Sequence, residues 1–333
     1  MPKKLRRKPN FLVILLIVLL LGFILWNYRS SWLVNRLTWD TVQKGWVRHE
    51  KTVAALFANT EIVVTASIEG RVTYIREDGH RFKKGETVAI LTPAGVSHGT
   101  DLNEQAVIAP ISGLFYSFRD NLEEIITPEN LMNMELEGLL SQAEKALQTE
   151  QEAKREKQQT EQQEVPLQAE QNQAKSPIST VSKYAPLGKM LNNLYPSWMF
   201  VHLDSSLPIA KDDIVKFLVE GEEYAGTVMK VSGKPQGAVV RFTQYVKGTT
   251  EKRQKEVIWI YKPATKGLVV PVNSLCTLGE EKGVYINDRG IIRFRNVKVL
   301  DSNDSLACVT GVPEGASVVV NPPAGIEGLP SKI

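Results

Sequence analysis

The feature that most constrains this chain is a long apolar run directly after a cluster of basic residues. Five basic residues occur within the first eight positions, and the apolar run covers Phe11–Trp26. At about 1.5 Å per residue, a helix of this length approaches the roughly 30 Å thickness of a bilayer core. Aromatic side chains anchor such helices at the interface, which is the role predicted for Trp26, Tyr28 and Trp32. The sequence therefore predicts a transmembrane anchor over residues 11–28.

The charge around this run predicts its orientation. Basic residues remain on the cytoplasmic side, so residues 1–10 form a cytoplasmic segment and the bulk of the chain is extracytoplasmic. A cleaved signal peptide is the alternative, but it needs small residues after the apolar core. Here Asn27, Tyr28 and Arg29 follow, which favours an uncleaved anchor. The expected localisation is a single-pass protein of the cell (inner) membrane.

The composition is that of a globular protein with two or three domains. Of the residues, 43% are hydrophobic and 23% are charged, and the formal net charge is +3. Removing the five basic charges at the N-terminus leaves −2 for the rest, so nucleic acid is not an expected partner.

Strand patterns dominate after a juxtamembrane connector, residues 29–59, which itself contains short strand signals. Residues 60–128 read as two similar halves, because 64–72 and 108–115 share an apolar strand, a small residue, a glycine turn and a second strand. Two such halves predict a pseudo-symmetric β-sandwich. Its turns are assigned to five residues, Gly70, Gly79, Gly85, Pro110 and Gly113.

Residues 129–183 change to a Glu/Gln-rich composition. Leucines and alanines with helical spacing predict a helix as far as about residue 150. Beyond it no apolar stripe remains, so a solvated helix and a disordered linker both stay open.

Two further β-rich segments follow. Residues 184–264 predict a small antiparallel barrel, because short strands alternate with glycine-containing turns. Residues 265–333 predict a last β domain, which contains both cysteines, Cys276 and Cys308. These two could pair as a disulfide or remain two small buried side chains. The fold class is therefore mainly β.

Motifs for catalysis and metal binding do not emerge. The four histidines, His49, His80, His98 and His202, lie far apart without a second ligand at a suitable spacing. Neither a phosphate-binding loop nor a nucleophile elbow occurs. We expect no enzyme activity, no cofactor and no metal site.

Several segments, in order along residues 60–320, resemble the membrane fusion proteins, or periplasmic adaptor subunits, of hemolysin-secretion and multidrug-efflux systems. The segments are Ala66-x3-Gly70, Gly79-x5-Gly85-Glu86-x-Val88-Ala89, Ala109-Pro110-x2-Gly113, Val270-Pro271-Val272-x-Ser274 and Gly311-Val312-x-Glu314-Gly315. The resemblance implies a lipoyl-like (biotinyl-like) domain at 60–128, a β-barrel domain within 184–264 and a membrane-proximal domain at 265–333, to which strands from 40–58 contribute.

One departure from the family concerns the connector between the two halves. The family usually inserts a long helical hairpin there, whereas Thr92–Gln105 is short and contains proline and glycine. It also contains no lysine, so the covalent cofactor attachment of true lipoyl domains is not expected.

The resemblance implies a non-catalytic extracytoplasmic adaptor that assembles with an inner-membrane transporter for efflux or secretion. The expected partners are that transporter or another envelope protein, the bilayer, and further copies of the chain. The missing hairpin favours an alternative, a structural protein of division, sporulation or wall assembly that uses the same fold without a transporter.

Overall fold

The computed structural model describes residues 34–93, 104–163, 180–203 and 209–331, with backbone only for 150–163. Within these residues the chain is mainly β, as predicted, with two α-helices, α1 (Pro128–Asn133) and α2 (Leu136–Gln163), and a short 3-10 helix at Val272–Ser274. It divides into two compact units, one of residues 50–261 and one that joins the residues up to 49 to 262–333.

The predicted anchor and its aromatic belt, Trp26, Tyr28 and Trp32, lie outside the described residues. Among the helices that the structure describes, none combines the length and the apolar character that crossing a bilayer requires.

The larger unit contains a sandwich of eight strands. They are β3 (Glu61–Thr65), β4 (Gly70–Tyr74), β5 (His80–Phe82), β6 (Thr87–Pro93), β7 (Gln105–Ile108), β8 (Gly113–Tyr116), β9 (Thr180–Val181) and β10 (Pro186–Leu191). One sheet has the order β3-β10-β8-β5 and the other β7-β6-β4-β9. Exchanging β3 with β7, β4 with β8, β5 with β9 and β6 with β10 converts one order into the other. The two halves are therefore related by a pseudo-two-fold axis.

One apolar core joins the two sheets of the sandwich. It contains Val64, Phe82, Leu91, Phe115 and Met190, drawn from five strands of both sheets. Each sheet alone would expose this face to water, so the two halves fold as one body.

The second half of the sandwich is interrupted. Residues 117–179, which include both helices, lie between β8 and β9, at the position that a short turn occupies between β4 and β5. The sequence predicts a barrel from residue 184, whereas β10 pairs with β3 and β8 in the sandwich. The reason is the pseudo-symmetry, since β10 is the counterpart of β6.

A six-stranded barrel forms the rest of this unit. Its strands are β2 (Gln43–Ala58), β11 (Trp198–His202), β12 (Ile214–Val219), β13 (Glu222–Gly233), β14 (Gln236–Phe242) and β15 (Gln254–Pro271). The order is β12-β13-β14-β11-β2-β15, and pairing of β12 with β15 closes the ring. Aromatic side chains fill it, including Phe57 stacked on Phe242 at 6.0 Å and Phe217 stacked on Trp259 at 6.5 Å between ring centroids.

The two helices pack on the outer face of the barrel. The Thr127 hydroxyl caps α1 by accepting a 3.1 Å hydrogen bond from the Asn130 amide. On α2, Leu136, Leu139 and Ala143 are buried in one cluster with barrel residues Leu56, Ala58, Phe200 and Val239. The predicted helix is present and extends to Gln163, well past the end of its apolar stripe.

The smaller unit is also β-structure. Its further strands are β1 (Thr38–Thr41), β16 (Leu275–Leu278), β17 (Glu281–Asp288), β18 (Ile291–Asn296), β19 (Lys298–Ser302), β20 (Leu306–Thr310) and β21 (Ser317–Val320). Antiparallel pairing of β1 with β21 joins the beginning of the described chain to its end. β2 and β15 contribute residues to both units.

The two cysteines of this unit are free thiols. Cys308 is buried with Val47 and Val269, while Cys276 packs against a separate cluster that contains Tyr285 and Ile292. Each side chain therefore serves as a small apolar group in its own core.

Candidate functional site at the junction of sandwich and barrel

The chain crosses twice between barrel and sandwich, and polar groups fasten the two crossings together. Asn59 and Thr60 connect β2 to β3, and residues 192–197 connect β10 to β11. The Asn192 amide donates a 2.9 Å hydrogen bond to the Thr60 carbonyl. The Ser197 hydroxyl donates to Asn59 Oδ1 at 2.6 Å, and both side chains are buried. The junction is thus a hydrogen-bonded crossing of the chain.

Beside this crossing lies a cluster of charged side chains that we call the junction cluster. It consists of Glu61, Asp120, Glu123, Lys189 and Arg253. Glu61 begins β3, Lys189 lies in the middle of β10, and Arg253 immediately precedes β15. Sandwich, barrel and the segment that leads to the helices therefore all contribute to it.

Lys189 is the centre of the junction cluster. Its side chain has no exposed surface, and its Nζ lies 3.4 Å from Glu61 Oε2, 3.6 Å from Glu123 Oε1 and 3.7 Å from Asp120 Oδ1. The ammonium group also lies 5.4 Å from the centroid of the Phe118 ring. A lysine is fully buried only when opposite charges compensate it, and here three carboxylates do so.

Arg253 links the same carboxylates from the barrel side. Its Nη2 donates to Glu61 Oε2 and, at 3.2 Å, to Asp120 Oδ1, while its Nε donates to Asp120 Oδ2. The two bonds to Asp120 form the bidentate arrangement that a guanidinium makes with a carboxylate. At the edge of the cluster, Arg119 contacts Glu123 at 3.3 Å.

The shifts in pKa show how burial and pairing compete in the junction cluster. Burial raises the pKa of Glu61 above its usual range, and the nearby Arg253 and Lys189 offset that effect only in part. Burial acts in the same direction on Asp120, but the hydrogen bond and charge of Arg253 outweigh it and lower the pKa of that carboxyl. Burial would lower the pKa of Arg253, yet its two carboxylate partners raise it.

The contacts of the junction cluster are those of a buried network of ion pairs. The described residues contain no group of three or more His, Cys, Asp or Glu side chains that could hold a metal ion. The three carboxylates of the junction cluster are already paired with three cations, Lys189, Arg253 and, at its edge, Arg119. Pairing of buried charges fixes geometry, since separating the partners leaves each one uncompensated in a medium of low polarity. The junction cluster therefore holds sandwich and barrel in one relative orientation.

The smaller unit has its own buried carboxylate. Asp301 accepts hydrogen bonds from Lys262 at 2.6 Å and Thr265 at 2.7 Å, and its Oδ2 lies 2.7 Å from His49 Nε2. The hydrogen bond from Lys262, followed by those from Thr265 and His49, lowers the pKa of Asp301. These contacts tie together β2, β15 and β19.

The predicted turn glycines of the sandwich occupy paired positions. Gly70 begins β4 and Gly113 begins β8. A Cβ on Gly70 would lie 2.2 Å from the Thr92 carbonyl oxygen, and one on Gly113 would lie 2.1 Å from that of Leu191. Since β6 and β10 are counterparts, both halves use the same close backbone approach.

The remaining predicted turn residues serve other purposes. Gly79 and Gly85 have φ of +77° and +84°, which residues with a Cβ adopt at a cost. Pro110 follows β7 and lines an open surface groove beside the edge strand β3.

Sequence reasoning missed the junction cluster. Its members are scattered from residue 61 to 253 and match no motif. One local signal was present, because Lys189 interrupts an otherwise apolar strand, Leu187–Leu191, all of whose residues are buried. A charged residue inside such a strand indicates a buried partner but does not say which one.

The fold is thus a pseudo-symmetric sandwich fastened to a barrel, with a second β unit. No protein-family model and no curated protein sequence matches the chain. Solved structures do match it. ZneB from Cupriavidus metallidurans is 13% identical over 88% of this chain and 95% of its own, with a TM-score of 0.28.

Two others have similar values. MacA from Actinobacillus actinomycetemcomitans is 11% identical over 85% of this chain and 99% of its own, with a TM-score of 0.33. A putative efflux transporter from Bacteroides eggerthii is 13% identical over 79% and 86%, with a TM-score of 0.26. All three TM-scores lie below 0.5.

Proposed function

We propose that the chain is a non-catalytic, membrane-anchored adaptor that assembles with an inner-membrane transporter outside the cytoplasm. The observation that supports this most directly is the junction cluster, which turns a lipoyl-like sandwich and a barrel into one rigid body. A scaffold needs faces held at a fixed angle. A buried charge cluster provides this specific geometry, although it contributes less to stability than apolar packing would. No cofactor takes part in this role.

The anchor supplies the second element of the proposal. Basic residues before the apolar run orient it with the N-terminus in the cytoplasm, as the positive-inside rule predicts. The smaller unit is described from Val34 onward, only a few residues past the predicted end of the anchor at residue 28. Confinement to one bilayer raises the effective concentration of the scaffold around a membrane partner.

The test is capture of the partner by the full chain. The chain carries a tag after Ile333, is crosslinked in native membranes and is purified in detergent, beside a control that ends at residue 33. We expect the full chain, but not the control, to retain a transporter subunit at a fixed ratio. Recovery of no transporter, or equal recovery with both, would contradict the proposal.

A second candidate is a structural protein of cell division, sporulation or wall assembly. It is favoured by the position of the helical segment, which is inserted between β8 and β9 and packs on the barrel. The connector at the usual hairpin position, residues 94–104, is far too short for a helical hairpin. Retention of wall or division proteins instead of a transporter would support this candidate.

Orientation is tested separately. A reporter that is active only outside the cytoplasm is fused after Ile333, and the N-terminus of the mature chain is sequenced. We expect reporter activity and an intact basic segment. An inactive reporter would contradict the orientation, and a chain that begins near residue 30 would contradict the uncleaved anchor.

A further inference from the structure

A groove runs between α2 and the outer face of the barrel. Two adjoining depressions of about 390 and 380 Å³ form it, and Leu56, Leu140 and His202 line both. Leu147 extends the apolar floor along the helix. Both α2 leucines are partly buried: they pack against the cluster that Leu136, Leu139 and Ala143 form with the barrel, and the surface that remains lines the groove. The barrel therefore covers the apolar stripe of α2 only in part, and the partly buried leucines form one wall of the groove.

The strands under the groove offer no free edge. β11 is paired with β14 and β2, and β2 is paired with β11 and β15. Their main-chain groups are therefore already used in the sheet. A partner segment that binds here must satisfy its own backbone hydrogen bonds and contribute side chains only, which is what a helix does.

Charge at the groove restricts that helix further. Glu137 and Glu144 line it from α2 and Glu256 from β15, and none of the three has an ion-pair partner among the described residues. The basic side chain of the groove, Lys255, is already bonded to Glu220. Three uncompensated carboxylates around an apolar floor complement a partner with lysine or arginine.

The spacing sets a repeat. Glu137 and Glu144 are seven residues apart, as are Leu140 and Leu147, so each pair is separated by about 10.5 Å along the helix axis. A second helix laid alongside would present matching side chains two turns apart.

Helix α2 of a second copy is not the expected occupant. It would bring its own Glu137 and Glu144 against those of this groove, and Thr149–Glu164 contains no aliphatic residue larger than alanine.

We propose that this groove binds an amphipathic helix of a partner protein, with an apolar stripe flanked by lysine or arginine at a seven-residue repeat. The inference deepens the proposed adaptor function and rests on it, since it requires a partner. It places the partner contact on the barrel and α2.

The experiment uses a photoreactive amino acid in the full chain, in native membranes. It replaces Ser141, which is exposed and lines the groove, or Gln142, which is exposed but does not. We expect the Ser141 position to crosslink to another protein, and mass spectrometry to locate the crosslink in a basic amphipathic helix. Equal crosslinking from both positions, a crosslink to this chain, to a strand or to an acidic segment, or no crosslink would each overturn the inference.

Charge reversal provides the second readout. Glu137→Lys combined with Glu144→Lys should lower the crosslink yield from Ser141 by about tenfold, since repulsion replaces attraction. Glu135→Lys is the matched control, because Glu135 is exposed but does not line the groove. With the unsubstituted glutamates, raising the salt concentration should also lower the yield, which tests the charge requirement even if the double variant folds poorly. Undiminished yields in both measurements would overturn the charge requirement. A transporter that still co-purifies while the groove fails these tests would leave the adaptor function standing and remove only this inference.

Discussion

Replacing Lys189 with methionine removes one positive charge from the junction cluster while keeping a long side chain in place. Three carboxylates, Glu61, Asp120 and Glu123, then face two guanidinium groups. Loss of one partner from a buried charge cluster typically costs about 3 to 5 kcal/mol. We expect Lys189→Met to lower the free energy of unfolding by that amount.

Urea unfolding of the detergent-solubilised chain, followed by tryptophan fluorescence, measures this loss. With a slope near 3 kcal/mol per molar, the midpoint should fall by about 1 to 2 M. Glu61→Gln in the same chain should recover about 1 to 3 kcal/mol, because burial already disfavours the charge of that carboxylate. A Lys189→Met variant as stable as the original chain, or a double variant less stable than the single one, would refute the reasoning.

The same variant has a defined pH dependence. The pKa of Glu61 is raised in the folded chain, so its ionised carboxylate lowers the stability of the fold at high pH, and this penalty disappears as the pH falls and the carboxyl takes up a proton. Without Lys189 the penalty is larger. The difference in stability between the variant and the original chain should therefore shrink as the pH is lowered towards the usual range of a glutamate, and a difference that grows on acidification would contradict this assignment.

The turn glycines, the Asp301 carboxylate and the two cysteines can each be tested separately. Gly70→Ala and Gly113→Ala should each destabilise the chain by about 1 to 3 kcal/mol in urea unfolding, since the new Cβ would press on a carbonyl oxygen. As a control, Gly138→Ala on α2 should stabilise the chain by about 0.5 to 1 kcal/mol. Equal effects of all three substitutions would contradict the close backbone approach at Gly70 and Gly113. Asp301→Asn should lower the free energy of unfolding by about 1 to 3 kcal/mol at pH 7. Because the lowered pKa of Asp301 stabilises the fold above the usual aspartate range, this loss should shrink as the pH falls below about 4. A loss independent of pH would contradict the role assigned to the ionised carboxylate. A thiol reagent should label Cys276 before Cys308, because only Cys308 is fully buried, and two thiols unreactive even in denaturant would show a disulfide instead.

The sandwich could be predicted because its information is local and repeated. Val64 and Val107 lie in apolar strands that are each followed by a glycine turn. Both residues are buried in the same core. The short strand signals of the predicted connector lie in one long strand, β2, because nothing within it breaks the alternation that a continuous strand needs.

Other features depend on contacts that the sequence does not encode locally. The strand Pro186–Leu191 follows a segment of more than sixty residues after β8, and local pattern does not show that it returns to the sandwich rather than opening the barrel. The junction cluster is even harder to predict from the sequence, since Glu61 and Arg253 are separated by 192 positions and meet only once both crossings have formed.

The place of the insertion constrains how such a scaffold can act. In the pseudo-symmetric sandwich, an insertion between β6 and β7 would leave from the connection between the two halves. Here the inserted segment leaves from the β8–β9 connection, inside the second half. Its first apolar residues, Leu131, Leu136 and Leu139, are buried against the barrel. A helix committed in this way covers the barrel instead of extending the sandwich. The partner surface that we propose is therefore built jointly by α2 and the barrel, and the junction cluster holds that surface at a fixed angle to the sandwich.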